Sequence, residues 1–105
     1  MGELTVHVNP NARSRAAVPF LLNVQSDLLS SLATCVVVPL YRQGAAPASL
    51  MGRLTPLLTF QGEPHVAVVP ELAGIARRDL GVQVGDLAAQ RPSIIAALDL
   101  LFTGI

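Results

Sequence analysis

From Glu3 to Val8 the chain alternates, with Leu4, Val6 and Val8 on one side and Glu3, Thr5 and His7 on the other. That is the pattern of a strand with one buried face and one wet face. Asn9-Pro10-Asn11 ends it, since proline cannot donate to a ladder and asparagine favours turns. Arg13 and Arg15 then lie in a loop. A second apolar run extends from Val18 to Val24, and Pro19 inside it predicts an edge position or a bulge. Cys35-Val36-Val37-Val38 is continuous and largely β-branched, which predicts a strand buried on both sides. Pro39 marks its end or a bulge.

Between Gln43 and Gly52 the sequence QGAAPASLMG has no period and reads as a long excursion. Leu54 to Phe60 and His65 to Val69 predict two strands joined by Gln61-Gly62-Glu63-Pro64, a hairpin signal. Leu72 to Arg77 and Val82 to Val84, separated by Asp79-Leu80-Gly81, predict a further strand pair. The period then changes. Ile94, Ile95, Leu98, Leu101 and Phe102 fall on one face of a helix. Pro92 suits its first turn and Gly104 the left-handed residue after its last. The chain therefore reads as one domain, mainly β with a C-terminal α-helix packed on a small antiparallel sheet or open barrel.

Composition changes that picture in one respect. The 105 residues are 51% hydrophobic and 13% charged, and seven arginines balance seven carboxylates. No bulk positive field attracts nucleic acid or an anionic membrane. There is no lysine, so Walker A and Schiff-base lysine chemistry are excluded. A mean hydropathy of +0.54 is high for a small domain that must expose much of its surface, and predicts apolar surface meant for a partner. The apolar stretch Leu28 to Tyr41 is too short and too interrupted to span a bilayer, which needs ~20 apolar residues. Glu3 sits where a signal peptide wants basic residues. Val6 occupies the position where the acylation signal begun by Met1-Gly2 needs Ser or Thr. A cytoplasmic location is the expectation, and the lone Cys35 agrees with a reducing compartment.

Little in the chain carries chemistry. His7, His65 and Cys35 are isolated, without the spacing of metal ligands, so no metal or cofactor is expected. A Ser26–His–Asp27 arrangement is disfavoured because adjacent strand residues point to opposite faces. Arg77-Arg78 reads as a solvated turn, for no aromatic platform accompanies it. Two other features point to protein contacts. Leu28 and Leu29 cannot both face one interior from an extended segment. The second helix face, Ala96, Asp99, Leu100 and Thr103, carries a single charge where a solvent face would carry several.

Three segments together resemble the CcdB family, the toxins of the ccd plasmid-addiction module. They are Val24-Gln25-Ser26-Asp27-Leu28-Leu29, then Val37-Val38-Pro39-Leu40, and Ala97-Leu98-Asp99-Leu100-Leu101-Phe102-Thr103-Gly104-Ile105. From the first of these to the last residue the match needs no gap. The resemblance implies an SH3-like open barrel with a terminal helix, shared with the RNA-cleaving toxins Kid and MazF. It implies a homodimer, with Leu101 at its interface, that has no catalysis of its own. Such a dimer would bind the A subunit of DNA gyrase through Leu28, Leu29, Asp99, Thr103, Gly104 and Ile105. A CcdA-like antitoxin would neutralise it, by analogy near the long loop after the first strand, where Arg13 and Arg15 sit. There an acidic segment would order itself along the sheet edge. The pair would repress its own operon, so that DNA is met only through the antitoxin complex.

Two positions depart from the family pattern. Thr103 stands where the family has the tryptophan of Trp-Gly-Ile, and Asp99 where asparagine is usual. The lost indole is a large aromatic contact of the type that dominates interfaces. Two alternatives follow. One is a CcdB-fold protein with an altered target, topoisomerase IV, or with lost toxicity. The other is a Kid- or MazF-like endoribonuclease, which would need Arg13, Arg15, Arg77, Arg78 and the histidines to converge on a basic groove.

Overall fold

The computed structural model describes residues 3–47 and 52–104. Strand β1 (Thr5–Val8) pairs with β2 (Phe20–Asn23), and β2 with the long β3 (Thr34–Arg42). A hairpin of β4 (Leu57–Phe60) and β5 (Glu63–Ala67) follows, then β6 (Ala73–Ala76), β7 (Gln83–Asp86) and helix α1 (Arg91–Thr103). The pairing is antiparallel throughout, in the order β4-β5-β3-β2-β1-β7, with β6 also on β3. The sheet curls into a half-barrel with α1 packed on it, as an SH3-like open barrel with a terminal helix requires.

The core is what the apolar pattern supplies. Leu4, Val6, Leu22, Val38, Leu40 and Leu58 are buried from the strands, and Ile94 and Ala97 from the helix. Each fully buried leucine or isoleucine contributes ~1.5–3 kcal/mol. Pro92 lies in the first helical turn, and Gly104 closes the helix at φ 75° with its N–H donating to the Leu100 carbonyl. The predicted hairpin is present, with a tighter turn than expected. Gln61 and Gly62 alone form it, at φ 53° and 79°, the left-handed pair that matches strand twist.

Four expectations are corrected. The supposed wet face of β1 is buried: Thr5 and His7 are 2% and 8% exposed. The His7 ring bridges the Thr5 hydroxyl and the Gly81 carbonyl, each at 2.8 Å, and the segment after β6 covers it. Pro19 precedes β2, which is an interior strand, so it marks neither edge nor bulge. Pro39 lies inside β3, because its missing donor points to where β3 changes neighbour. β6 pairs with Thr34–Val37, β5 takes over at Leu40, and the Pro39 carbonyl on that same side accepts from the Val68 N–H. Finally, β6 and β7 do not pair with each other; β6 joins β3 and β7 joins β1.

Candidate functional site

The segment after β2 does not stay extended. Ser26 caps a 3₁₀ turn at Asp27–Leu29, its hydroxyl accepting from the Leu28 N–H at 3.1 Å. Asp27 lies in the first turn, and its carboxylate accepts from the Glu3 N–H at 2.7 Å. The turn leaves Leu28 92% exposed and Leu29 46%, with Leu32 at 47% just beyond. Both members of the leucine pair thus face outward. The extended geometry on which that expectation rested is replaced by a helical turn, but its consequence, apolar surface, holds.

Helix α1 presents the second part. Ile94 and Ala97 are buried and Leu98 and Leu101 pack partly against the core, while Phe102 is 70% exposed. Phe102 therefore leaves the predicted inward stripe. Asp99 and Thr103 are exposed, and the Thr103 hydroxyl donates back to the Asp99 carbonyl at 2.7 Å. Gly104 is exposed as the cap, and Ile105 lies outside the described residues.

An open groove of about 300 Å³ joins the two parts. Val24, Ser26 and Leu29 line one side, Leu98 and Phe102 the other, with Leu72 from the segment before β6. The structure therefore brings the leucine turn and the helix end to one apolar face. Sequence reasoning missed Val36 and Leu72 as members of this face; Val36 reads only as part of a buried strand and Leu72 as the start of another.

Arg13 and Arg15 lie apart, in the turns between β1 and β2, and neither lines the groove. Arg15 donates to the carbonyls of Asn9 and Pro10, while Arg13 is exposed. The expected sheet edge beside this loop is absent, because β1 and β2 both have neighbours on either side. Arg42 approaches the same loop and donates to the Ala16 carbonyl at 2.7 Å. Among the described residues no carboxylate pairs with these three arginines; the ion pair present joins Arg91 to Glu3.

The remaining polar candidates are structural. His65 is buried beside the paired rings of Phe20 and Phe60, 5.4 and 6.4 Å away edge-on. Arg77 is not the solvated residue expected of a basic pair. It is half-buried and donates to the carbonyls of Leu32 and Thr34. Among the described residues no group of three or more His, Cys, Asp or Glu is placed to hold a metal, and no helix is long and apolar enough to cross a membrane.

With the barrel, its terminal helix and the apolar face in view, comparison with protein families matches the family described as CcdB protein over residues 3–104. The chain belongs to the CcdB family. Comparison with curated proteins gives no match. Membership supports a role as the toxin of a toxin–antitoxin pair. In this CcdB-family chain both ends of the resemblance reach one groove, Val24, Gln25, Ser26 and Leu29 from the first and Leu98 and Phe102 from the last, whereas Leu28, Asp99, Thr103 and Gly104 do not line it.

Proposed function

We propose that this chain is the toxin of a type II toxin–antitoxin system, a homodimer that binds and poisons DNA gyrase through its A subunit. The observation that carries the reading is the shared apolar face, on which the family motif after β2 and the end of α1 flank one groove. Leu28, Leu29, Asp99, Thr103, Gly104 and Ile105 supply the contacts to gyrase, and the homodimer has Leu101 at its interface. The protein acts by binding and has no catalysis of its own. A CcdA-like antitoxin, engaging Arg13 and Arg15, neutralises it in the cytoplasm, and the pair represses its operon. The experiment is expression without antitoxin, together with binding of the purified protein to the gyrase A subunit. Growth arrest and a stable complex are expected. Healthy cells containing soluble folded protein would count against it.

One observation favours a second reading. Thr103 offers no aromatic surface, and its hydroxyl is turned back onto the helix. A changed target, topoisomerase IV, fits that loss, and pull-down with both purified topoisomerases separates the two.

A further inference from the structure

The exposed leucine segment is held from a distance by two side chains. Gln25 reaches across it: its amide nitrogen donates to the carbonyls of Leu29 and Thr34 at 3.3 and 3.1 Å, and its oxygen accepts from the Val36 N–H. Arg77, at the end of β6, approaches from the opposite end. Its Nε donates to the Leu32 carbonyl at 2.9 Å, Nη2 to the Thr34 carbonyl at 3.4 Å, and its own N–H to the Ala33 carbonyl at 2.7 Å. Within the segment the Leu32 N–H bonds the Leu29 carbonyl, so a pull at Leu32 is felt at the leucine pair. The two ties share one acceptor, the Thr34 carbonyl, where the segment enters β3.

Such ties have a definite purpose here. Leu28 is almost fully exposed, and Leu29 and Leu32 keep nearly half of their surface in water. Left to its own preference, the segment would fold its leucines inward over the neighbouring apolar groove. A guanidinium fork offers donors in fixed directions, and hydrogen bonds from a charged donor are stronger than neutral ones. A single arginine far along the chain can thus impose an unfavourable apolar display.

We infer that Arg77 is a positioning residue: with Gln25 it fixes the 28–32 segment in the conformation that displays Leu28, Leu29 and Leu32 to a protein target. The inference rests on the proposed function for the identity of that target, the gyrase A subunit, and not for the display itself. Arg77 makes no target contact of its own in this account.

The test compares the natural protein with Arg77→Lys, which keeps the charge but loses the fork, and Arg77→Gln, alone and combined with Leu28→Ala. Three quantities are read: amide exchange along the chain, thermal stability, and affinity for the purified gyrase A subunit. Exchange at Ser30 to Thr34 should rise about tenfold or more while β1 and β2 amides and the melting temperature stay near their natural values. Affinity should fall about tenfold, and Leu28→Ala should cost far less in the Arg77→Lys background than in the natural one. Unchanged exchange at Ser30 to Thr34 overturns the inference, as does a loosened segment with undiminished, additive binding. Uniform loss of protection across the molecule also overturns it, by making Arg77 a general stabiliser. If the natural protein does not bind the gyrase A subunit, the proposed function fails, and the exchange pattern alone still decides the inference.

Discussion

The ring of Phe60 occupies the space that a side chain on Gly85 would need: a Cβ built there would lie 2.7 Å from Phe60 Cε1. Phe60 ends β4 and Gly85 lies in β7, so this contact joins the two outer strands of the curled sheet. Nearby, the Gln61 amide donates to the Val84 carbonyl, and the Gln90 amide bonds both main-chain groups of Thr59, at 3.0 and 2.7 Å. The barrel is closed along this line by side chains, with no strand ladder. Gly85→Ala should therefore destabilise the fold by ~1–3 kcal/mol in urea titration, since Phe60 is buried and its ring packs edge-to-face with Phe20. Gly74→Ala, which meets open space, should change little.

Tyr41 and Glu71 provide a pH signature. The phenol donates to the Glu71 carboxylate at 2.5 Å. That hydrogen bond, with burial and the carboxylate charge, pushes the Tyr41 pKa from 10.0 up to about 12. The unfolded chain ionises at the lower value, so the contribution is fully present below pH 10 and is lost as pH rises toward 12. Tyr41→Phe should cost ~0–1 kcal/mol at neutral pH, because solvent screens a half-exposed pair. The difference between natural and variant protein in denaturant midpoint should shrink above pH 10.

Leu101→Asp tests the helix surface. Leu101 packs partly against the core and keeps some of its surface in water, so a carboxylate there harms folding, dimerisation or both. Loss of ~1.5–3 kcal/mol of burial is expected, seen as a lower melting temperature or a monomer in sedimentation. A folded dimer of natural stability would contradict it.

Replacing Arg13 and Arg15 by alanine should weaken binding of a CcdA-like antitoxin without disturbing the sheet. The variant loses the Arg15 contacts to Asn9 and Pro10, which are local to the loop. Calorimetry at low salt should show weaker binding, and unchanged affinity would assign the antitoxin elsewhere.

Thr103→Trp should raise gyrase affinity and toxicity if the missing ring limits them. The position is exposed and, among the described residues, the internal tie lost is the hydroxyl bond to the Asp99 carbonyl, so the fold should tolerate it. An interfacial indole can bury ~150–250 Å². Removing Gly104 and Ile105 should abolish whatever poisoning exists. The double variant Asp99→Asn with Thr103→Trp also removes a charge from the helix end. If it binds gyrase no better than the natural protein, the target is a different molecule.

Local pattern was enough for much of this molecule. The β-branched run Cys35–Val38, the Gln61-Gly62 turn and the capped helix from Arg91 to Thr103 follow from residue preferences that act over a few positions. The leucine pair was legible as surface, because two successive leucines cannot both face one interior. What escaped depends on partners distant in sequence. His7 sits at an alternating position that reads as wet, and only Gly81, 74 residues later, buries it. Pro39 reads as a strand end until β3 is seen to change neighbour there. Arg77 reads as a solvated charge until β6 carries it beside Leu32 and Thr34. The sequence by itself determined most of the strands, the hairpin turn and the helix, though not the 3₁₀ turn at Asp27–Leu29, since those choices are settled by neighbouring residues. Only the tertiary structure decided which strands pair, which polar groups are buried and which side chains hold the exposed leucines, because those depend on chain closure over tens of residues.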